Sequence, residues 1–211
     1  MTKPEGWTSG SPEKIKYLTD EQVSRFFKAI ETNPDTQARK RDLVLFTLML
    51  SYGLRTAEVP LIRLEHINLS VRPAQIYITR VKRKASKPRL GRWYGLSEKN
   101  EAIVRAWLKA RRSDSEYLFP TRQSPQISLP HLTDLVQKYS KVAGLGHINP
   151  HQFRHTCGIR LARAGRNAFA IQARLGHVSV LSTQVYVQLA SPDRHDEDRR
   201  DDFAIEGGED D

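Results

Sequence analysis

The sequence predicts a mainly α-helical fold with one small antiparallel β-sheet, which places it in the α+β class. Apolar residues recur at helical spacing along most of the chain, and the helical segments begin and end at residues that cap helices. Two neighbouring segments, 75–79 and 92–96, instead suggest a pair of strands. With 211 residues, the chain is long enough to bury one core of ordinary domain size.

The first two helices are predicted from their boundaries. Thr19 followed by Gln22 matches a capping box, so we expect a helix from there to about Ile30. The run Leu43–Leu50 is apolar almost all round, which predicts a helix at the centre of the core. Gly53 follows this run and is expected to end the helix.

The remaining elements follow in chain order. Gln75–Thr79 alternates polar and apolar residues as a strand does, and Arg92–Leu96 is its expected hairpin partner. Asn149–Pro150 places a capping residue before a proline, which is a common helix start. Five further helices are predicted, over Glu98–Arg112, from Ser128 or Leu129 to Ala143, from Asn149–Pro150 to Ala164, after Asn167, and over Val180–Leu189.

The composition excludes several classes of protein. The longest mostly apolar run, Leu43–Leu54, is too short to span a bilayer, so we expect no membrane contact. No charged-then-apolar leader begins at Met1, and a cytoplasmic protein is therefore expected. A single cysteine rules out an internal disulfide framework and fits a reducing compartment.

Charge is distributed unevenly along the chain. The 34 Lys and Arg exceed the 24 Asp and Glu, for a formal net charge of +10. Residues 192–211 hold ten of the acids and three arginines, which leaves a net charge of +17 on residues 1–191. A body this basic favours a polyanionic partner, most commonly nucleic acid, over a basic protein with no such partner. The chain is thus divided into a flexible N-terminal tail (1–17), a folded domain (18–191) and an acidic C-terminal tail (192–211).

Three short motifs carry side chains suited to a phosphate site. Arg55 lies where a predicted helix ends, and taken alone it is most simply a surface arginine beside a helix cap. Arg154 lies in the first turns of another helix, where backbone N–H groups and the helix dipole favour anions. His177 follows a capping glycine and Tyr186 comes nine residues later, although each residue type in such a position is commonly structural.

A metal site near these residues is not expected. His147, His151 and His155 are spaced by four, as zinc ligands on one helix can be. Pro150, however, interrupts the helix that would align them, and Arg154 would repel a dication. We therefore expect no metal, and we expect His155 to be a hydrogen-bonded structural residue.

The segment Arg80–Arg92 is strongly basic, with seven basic residues among thirteen and no acid. It is expected at the tip of the hairpin, either as a solvated charged loop or as a tip that enters a DNA groove. The residues assigned to DNA binding are Arg80, Lys82, Arg83, Lys87 and Arg89.

In order and spacing, these motifs resemble those of the tyrosine recombinase (phage integrase) catalytic domain, from about Tyr17 to Ser191. The sequence is most similar to short members that consist of this domain alone, such as the fimbrial phase-variation invertases. The resemblance implies the fold of that domain and a site-specific recombinase that cleaves and rejoins double-stranded DNA through a 3′-phosphotyrosine. The implied catalytic set is Arg55, Lys84, His151, Arg154, His177 and Tyr186.

The chemistry of these side chains suits that reaction. The guanidiniums of Arg55 and Arg154 can pair with the non-bridging oxygens of a phosphodiester, where negative charge builds up during attack. Tyr186 is the expected nucleophile, with His151 as its base. Lys84 is the expected acid for the departing 5′ oxygen, and Lys82 and Lys87 are the alternatives on the same hairpin. Because the arginines supply the positive charge that a metal would otherwise provide, no cofactor is expected.

Two other functions stay open from the sequence. One is a type IB topoisomerase-like enzyme that nicks and closes DNA, and the other is a catalytically silent DNA-binding regulator with the same fold. The implied partners are double-stranded DNA, further copies of the chain up to a tetramer on DNA, and accessory proteins.

Overall fold

The computed structural model describes residues 16–81, 89–176 and 180–190. Nearly all of the predicted N-terminal tail and the whole predicted acidic tail lie outside these ranges. Tyr17, which the sequence assigned to the N-terminal tail, packs instead against the helices near the other end of the chain, and the Arg163 guanidinium lies 5.7 Å from its ring centroid. Tyr17 therefore belongs to the folded part.

The mainly α-helical fold with a small antiparallel sheet is confirmed. The helices are α1 (Asp20–Glu31), α2 (Thr36–Tyr52), α3 (Glu98–Ala110), α4 (Leu129–Val142), α5 (His151–Arg163), α6 (Ala168–Leu175) and α7 (Leu181–Ala190). The strands are β1 (Ile67–Asn68), β2 (Gln75–Arg80) and β3 (Arg89–Gly95), and two short 3₁₀ helices, Thr56–Leu61 and Leu64–His66, lie between α2 and β1. Within the described ranges, no helix combines the length and the apolar character needed to cross a bilayer.

The predicted helix boundaries agree with the observed ones within a few residues. The Thr19 hydroxyl accepts the Gln22 backbone N–H while the Gln22 side chain accepts that of Thr19, so the capping box is present. Gly53 ends α2 in the left-handed conformation. Helix α5 begins at His151, one residue later than predicted. Asn149 Oδ1 accepts the His151 backbone N–H at 2.9 Å.

The three strands pair antiparallel in the order β1-β2-β3. Ile76 lies opposite Tyr94, and β3 begins at Arg89, three residues earlier than predicted. The strand β1 is only two residues long, too short for any alternation to reveal it. Along β2, alternate side chains are buried, and these belong to Ile76, Ile78 and Arg80.

Helix α2 runs through the larger of two apolar clusters, as the apolar run Leu43–Leu50 predicts. Four rings from α1, α2, α4 and α5 meet there, with centroids 4.9–6.1 Å apart, those of Phe26, Phe46, Tyr139 and Phe153. A smaller cluster joins α5, α6 and α7. Because Phe153 anchors α5 in the larger cluster, the next residue, Arg154, is carried to the boundary between the two.

Candidate active site

Two helices end side by side at the centre of the site. Helix α2 ends at Gly53 (φ 57°) and α6 ends at Gly176 (φ 66°), both in the left-handed region that favours glycine. A Cβ on Gly53 would overlap Leu175 Cδ2, so the close approach of the helix ends also requires glycine at this position. Carbonyl groups without helical partners collect at both ends and concentrate partial negative charge there.

Arg154 on α5 lies between the two helix ends. Its Nη1 donates to the Gly53 carbonyl oxygen at 2.5 Å and its Nη2 to the Leu175 carbonyl oxygen at 2.7 Å. Burial and the positive charge of Arg55 lower the pKa of Arg154 to about 10, so the guanidinium stays protonated at neutral pH. Each Nη carries a second N–H, which makes Arg154 a rigidly held donor with remaining capacity.

Two further arginines bind the end of α6. Nη2 of Arg80 donates to the Arg174 carbonyl oxygen at 2.5 Å, and Nη2 of Arg55 donates to the Gly176 carbonyl oxygen at 3.4 Å. With Arg154, three guanidiniums from three elements thus hold three consecutive carbonyl oxygens. The segment that leads into His177 is fixed by these contacts.

Glu58 lies beneath the arginines and has a fully buried carboxylate. Its Oε1 accepts Nη1 of Arg55 at 3.0 Å, and its Oε2 accepts the Arg55 backbone N–H at 2.9 Å. Its Oε2 also accepts Nη1 of Arg80 at 2.8 Å. The Arg55 side chain keeps 21% of its surface exposed, so Glu58 orients an arginine whose outer side faces solvent.

The assignment of Arg80 to the DNA-contacting set is wrong. Arg80 is 5% exposed, and its guanidinium bonds Glu58, the Tyr52 carbonyl and the Tyr94 hydroxyl. The prediction rested on its positive charge and on the basic residues that follow it. The alternation along β2, however, places the Arg80 side chain on the inward face with those of Ile76 and Ile78. That alternation was visible in the sequence and is the signal that reveals a buried arginine.

The candidate nucleophile on α7 packs against α5. Tyr186 is 2% exposed, and its Oη lies 3.0 Å from Nδ1 of His155. The ring of His151, one turn earlier on α5, lies 6.2 Å from the ring of His155. The expectation that His155 is hydrogen-bonded is confirmed, and its partner is the predicted nucleophile.

Burial changes the pKa values of this pair in opposite directions. It raises the pKa of Tyr186 to about 12, although the charges of Arg154 and Arg55 act to lower it. It lowers the pKa of His155 to about 4, with help from His151 and Arg154. Both side chains are therefore neutral at pH 7, and with His155 as the Nε2–H tautomer, Tyr186 donates the bond.

Gly158 makes room for the ring of Tyr186. A Cβ at this position in α5 would lie 2.9 Å from Cδ2 and Cε2 of Tyr186, closer than carbon atoms pack. Helices α5 and α7 can approach each other this closely only because Gly158 lacks a side chain. The sequence shows a glycine in this helix but does not reveal that Tyr186 packs against it.

The structure brings together four of the six predicted catalytic residues, Arg55, His151, Arg154 and Tyr186. The other two predicted catalytic residues and three of the predicted DNA-binding residues lie outside the described residues, and these are Lys84, His177, Lys82, Arg83 and Lys87. Arg89 begins β3. In the part of the chain that the structure describes, no group of three or more potential metal ligands occurs.

The chain is similar to bacterial proteins along most of its length. It is 33% identical over 172 residues to tyrosine recombinase XerC of Psychromonas ingrahamii, which covers 79% of this chain and 55% of XerC. It is 30% identical over 179 residues to the type 1 fimbriae regulatory protein FimB of Escherichia coli, which covers 82% of this chain and 84% of FimB. The chain thus spans about half the length of the XerC relative and most of the length of FimB.

Solved structures share the fold. The structure of the site-specific recombinase XerH bound to a palindromic difH substrate matches with a TM-score of 0.71 at 21% identity, over 88% of this chain and 52% of the XerH chain. The XerA recombinase matches with a TM-score of 0.69 at 22% identity, over 87% of this chain and 65% of XerA. The sequence pattern of the phage integrase family extends over residues 16–192, most of this chain. The chain therefore belongs to the phage integrase family.

Proposed function

We propose that this protein is a site-specific DNA recombinase that cleaves and rejoins DNA through a 3′-phosphotyrosine. The observation that carries the proposal is the packing of Tyr186 on helix α5, where its Oη lies 3.0 Å from Nδ1 of His155, the residue after Arg154. The charges of Arg154 and Arg55 act to lower the pKa of Tyr186. A tyrosine beside two arginines fits nucleophilic attack on a phosphodiester, because the arginines favour both the phenolate and the charge on the phosphate. Relatives that are named tyrosine recombinases support the same reaction.

The two arginines have different tasks in this proposal. Arg154 is held by two backbone carbonyls and acts as a fixed donor to one non-bridging oxygen. Arg55 is partly exposed and held by Glu58, and it receives the phosphate from the solvent side. Charge-assisted bonds from guanidiniums to phosphate are strong and directional, and pre-oriented donors lose little entropy when they form them.

In the proposed cleavage step, Tyr186 Oη attacks the phosphorus atom and the bond from phosphorus to the 5′ oxygen breaks. The phenolic proton passes to His151, Lys84 protonates the departing oxygen, and His177 donates to a phosphate oxygen. The products are a 3′-phosphotyrosine and a free 5′ hydroxyl. Attack by the 5′ hydroxyl of another strand reverses these steps and rejoins the DNA, so the energy of the broken bond is conserved.

Tyr186 is in a resting position in this conformation. A side chain that is 2% exposed is inaccessible to a phosphate in a DNA groove, so attack requires Tyr186 to move outward first. His155, with a pKa of about 4, is far too weak a base to take the proton of a phenol whose pKa is about 12. We therefore assign His155 to holding the protonated tyrosine, and the base to His151 at the position of attack.

Covalent trapping tests the proposal. The probe is a pool of end-labelled duplexes with randomised arms, each nicked so that the short cleaved strand diffuses away and the adduct accumulates. The wild-type protein should form a denaturant-resistant adduct on the 3′ side of the break. Tyr186→Phe should form none, because it lacks the attacking oxygen and retains only the ring.

A buried tyrosine elsewhere provides the matched control. Tyr139 is also almost fully buried, and its hydroxyl bonds Asp42 at 2.6 Å. Tyr186→Phe should cost about 1 kcal/mol of unfolding free energy, the usual cost of one buried hydrogen bond. Tyr139→Phe should cost more, about 1.5–3 kcal/mol, because the Tyr139 hydroxyl bonds a buried carboxylate and also accepts Nδ2 of Asn33 at 2.9 Å. Only the change at Tyr186 should abolish the adduct. A Tyr186→Phe protein that still forms the adduct would contradict the assignment.

The same trapping experiment separates the alternative functions. A silent DNA-binding regulator retains duplexes without a covalent adduct, whereas a topoisomerase-like enzyme forms the adduct but reseals only the original strand. For the recombinase we expect exchange between two duplexes, carried out in the cytoplasm by an assembly of up to four copies on DNA, with accessory proteins where the site demands them. Strand exchange between differently labelled duplexes is the measurement that distinguishes it.

A further inference from the structure

We propose that Arg80 is a positioning residue that acts through Glu58 to hold Arg55 in place for the phosphate without cancelling the Arg55 charge. The inference rests on the proposed function, since Arg55 is taken to bind the scissile phosphate. Arg80 itself is 5% exposed and does not reach the surface that meets DNA.

The first observation is that one buried carboxylate is shared by two guanidiniums. Glu58 accepts from Arg55 at 3.0 Å and from Arg80 at 2.8 Å, and its side chain is fully buried. A buried carboxylate with a single arginine partner forms a neutral pair with it. Arg80 supplies a second positive charge beside the Glu58 carboxylate. Glu58 can therefore orient Arg55 while the group of charges keeps a net positive charge.

The charges around the site can be counted directly. Within the group formed by Glu58 and the three arginines at the helix ends, Arg55, Arg80 and Arg154 contribute three positive charges and Glu58 one negative charge, a net of +2 for these four side chains. Without Arg80 the net falls to +1, although no group that touches the phosphate has changed. The charge of Arg80 also acts on Arg154, whose pKa it helps to lower.

The second observation is that Arg80 ties Glu58 to the two helix ends. Its Nη2 donates to the Tyr52 carbonyl at 3.2 Å at the end of α2 and to the Arg174 carbonyl at 2.5 Å near the end of α6. It also donates to the Tyr94 hydroxyl on β3 at 3.0 Å. One side chain thus sets the distance between the sheet, both helix ends and the carboxylate that orients Arg55.

Arg80→Lys is the variant that tests the proposal. Lysine keeps the positive charge but has a single nitrogen, which cannot reach Glu58 and the Arg174 carbonyl together. Adduct formation is measured on two nicked duplexes of one sequence, first selected by trapping with the wild-type protein. One has an ordinary scissile phosphate, and the other has a methylphosphonate, in which a methyl group replaces one charged oxygen.

The two substrates separate a positioning role from a general structural role. A neutral methylphosphonate needs little help from Arg55, so Arg80→Lys should slow cleavage of the phosphodiester about tenfold to a hundredfold and cleavage of the methylphosphonate less than about threefold. Equal slowing on both substrates would overturn the proposal. Arg55→Ala should show the same selectivity and, combined with Arg80→Lys, no further loss on the methylphosphonate.

Arg174→Lys is the matched control. The Arg174 guanidinium lies 5.4 Å from the ring centroids of Tyr52 and Tyr94, next to Arg80, but in the described part of the chain it is not one of the two guanidiniums that pair with Glu58. Any effect of this change should be equal on both substrates. Selective slowing of phosphodiester cleavage by Arg174→Lys as well would show that any change of arginine geometry in this region has the effect, and it would overturn the proposal.

A second variant covers the case in which Arg80→Lys does not fold. Replacing both buried partners together, Arg80→Met with Glu58→Gln, leaves no fully buried charge without its partner, because Arg55, the other partner of Glu58, is 21% exposed, and this change is better tolerated. This protein should bind DNA as the wild type does. It should cleave the phosphodiester more slowly than the wild type but cleave the methylphosphonate at nearly the wild-type rate. Cleavage at the wild-type rate would overturn the positioning role, whereas a wild-type protein that forms no adduct at all would overturn the proposed function itself.

Discussion

The contact between Gly158 and Tyr186 predicts that Gly158→Ala changes the unfolding free energy in opposite directions, depending on whether the ring of Tyr186 is present. In Gly158→Ala, the added Cβ would lie 2.9 Å from two ring carbons of Tyr186. Carbon atoms pack at about 3.5–4.0 Å, so the ring or helix α7 has to move by roughly 0.6–1 Å. Because Tyr186 is buried, the ring cannot simply turn into solvent. The overpacking should cost about 1–3 kcal/mol of unfolding free energy.

An opposing effect comes from the helix itself. Alanine is favoured over glycine inside a helix by about 1 kcal/mol, so Gly158→Ala should be neutral or destabilising by up to about 2 kcal/mol in the wild-type protein. Where the ring is absent, in Tyr186→Ala, the same change should stabilise the protein by about 1 kcal/mol. The coupling between the two positions is then about 1–3 kcal/mol.

Urea unfolding of the wild type, both single variants and the double variant measures this coupling. Adduct formation by Gly158→Ala should be retained, because the added Cβ disfavours only the buried resting position that Tyr186 leaves before it attacks. If Gly158→Ala stabilises both backgrounds equally, Tyr186 does not rest on Gly158. The packing of α7 on α5 described above would then be incorrect.

Three further predictions concern DNA binding and pH. Binding to duplex DNA should weaken by about a thousandfold or more between 50 and 200 mM salt if six or more phosphates are contacted, as the basic body suggests, and a flat salt response would contradict this. Truncation after Ser191 removes ten acids and should strengthen DNA binding, whereas unchanged or weaker binding would show that the tail does not restrain it. The folded pKa of His155, about 4, lies below its ordinary value of 6.5, so the unfolded chain binds more protons between these values and stability should fall as pH drops through this range. His155→Gln should weaken that pH dependence in urea unfolding, and an unchanged slope would show that His155 does not cause it.

The sequence determined the features that depend on near neighbours along the chain. The capping box at Thr19, the helix end at Gly53 and the helix start after Asn149 were all predicted, because caps are made by hydrogen bonds over two to four residues. The Leu43–Leu50 run, apolar almost all round, likewise predicted a central helix, since a helix in the core is buried on most of its surface. The order and spacing of the motifs also pointed to the family that the chain belongs to.

The tertiary structure decided how those motifs bind one another. Residues far apart in the chain meet, as Tyr186 and His155 do across 31 positions, and no local pattern records such a contact. Arg80 shows the difference most clearly: its charge suggested a DNA contact, but its partners are a buried carboxylate and the ends of two helices. The residue type alone does not show whether an arginine is exposed to solvent or buried. Only the meeting of the ends of α2 and α6 creates the group of carbonyl oxygens that Arg80 binds, although the alternation along β2 already places its side chain on the inward face.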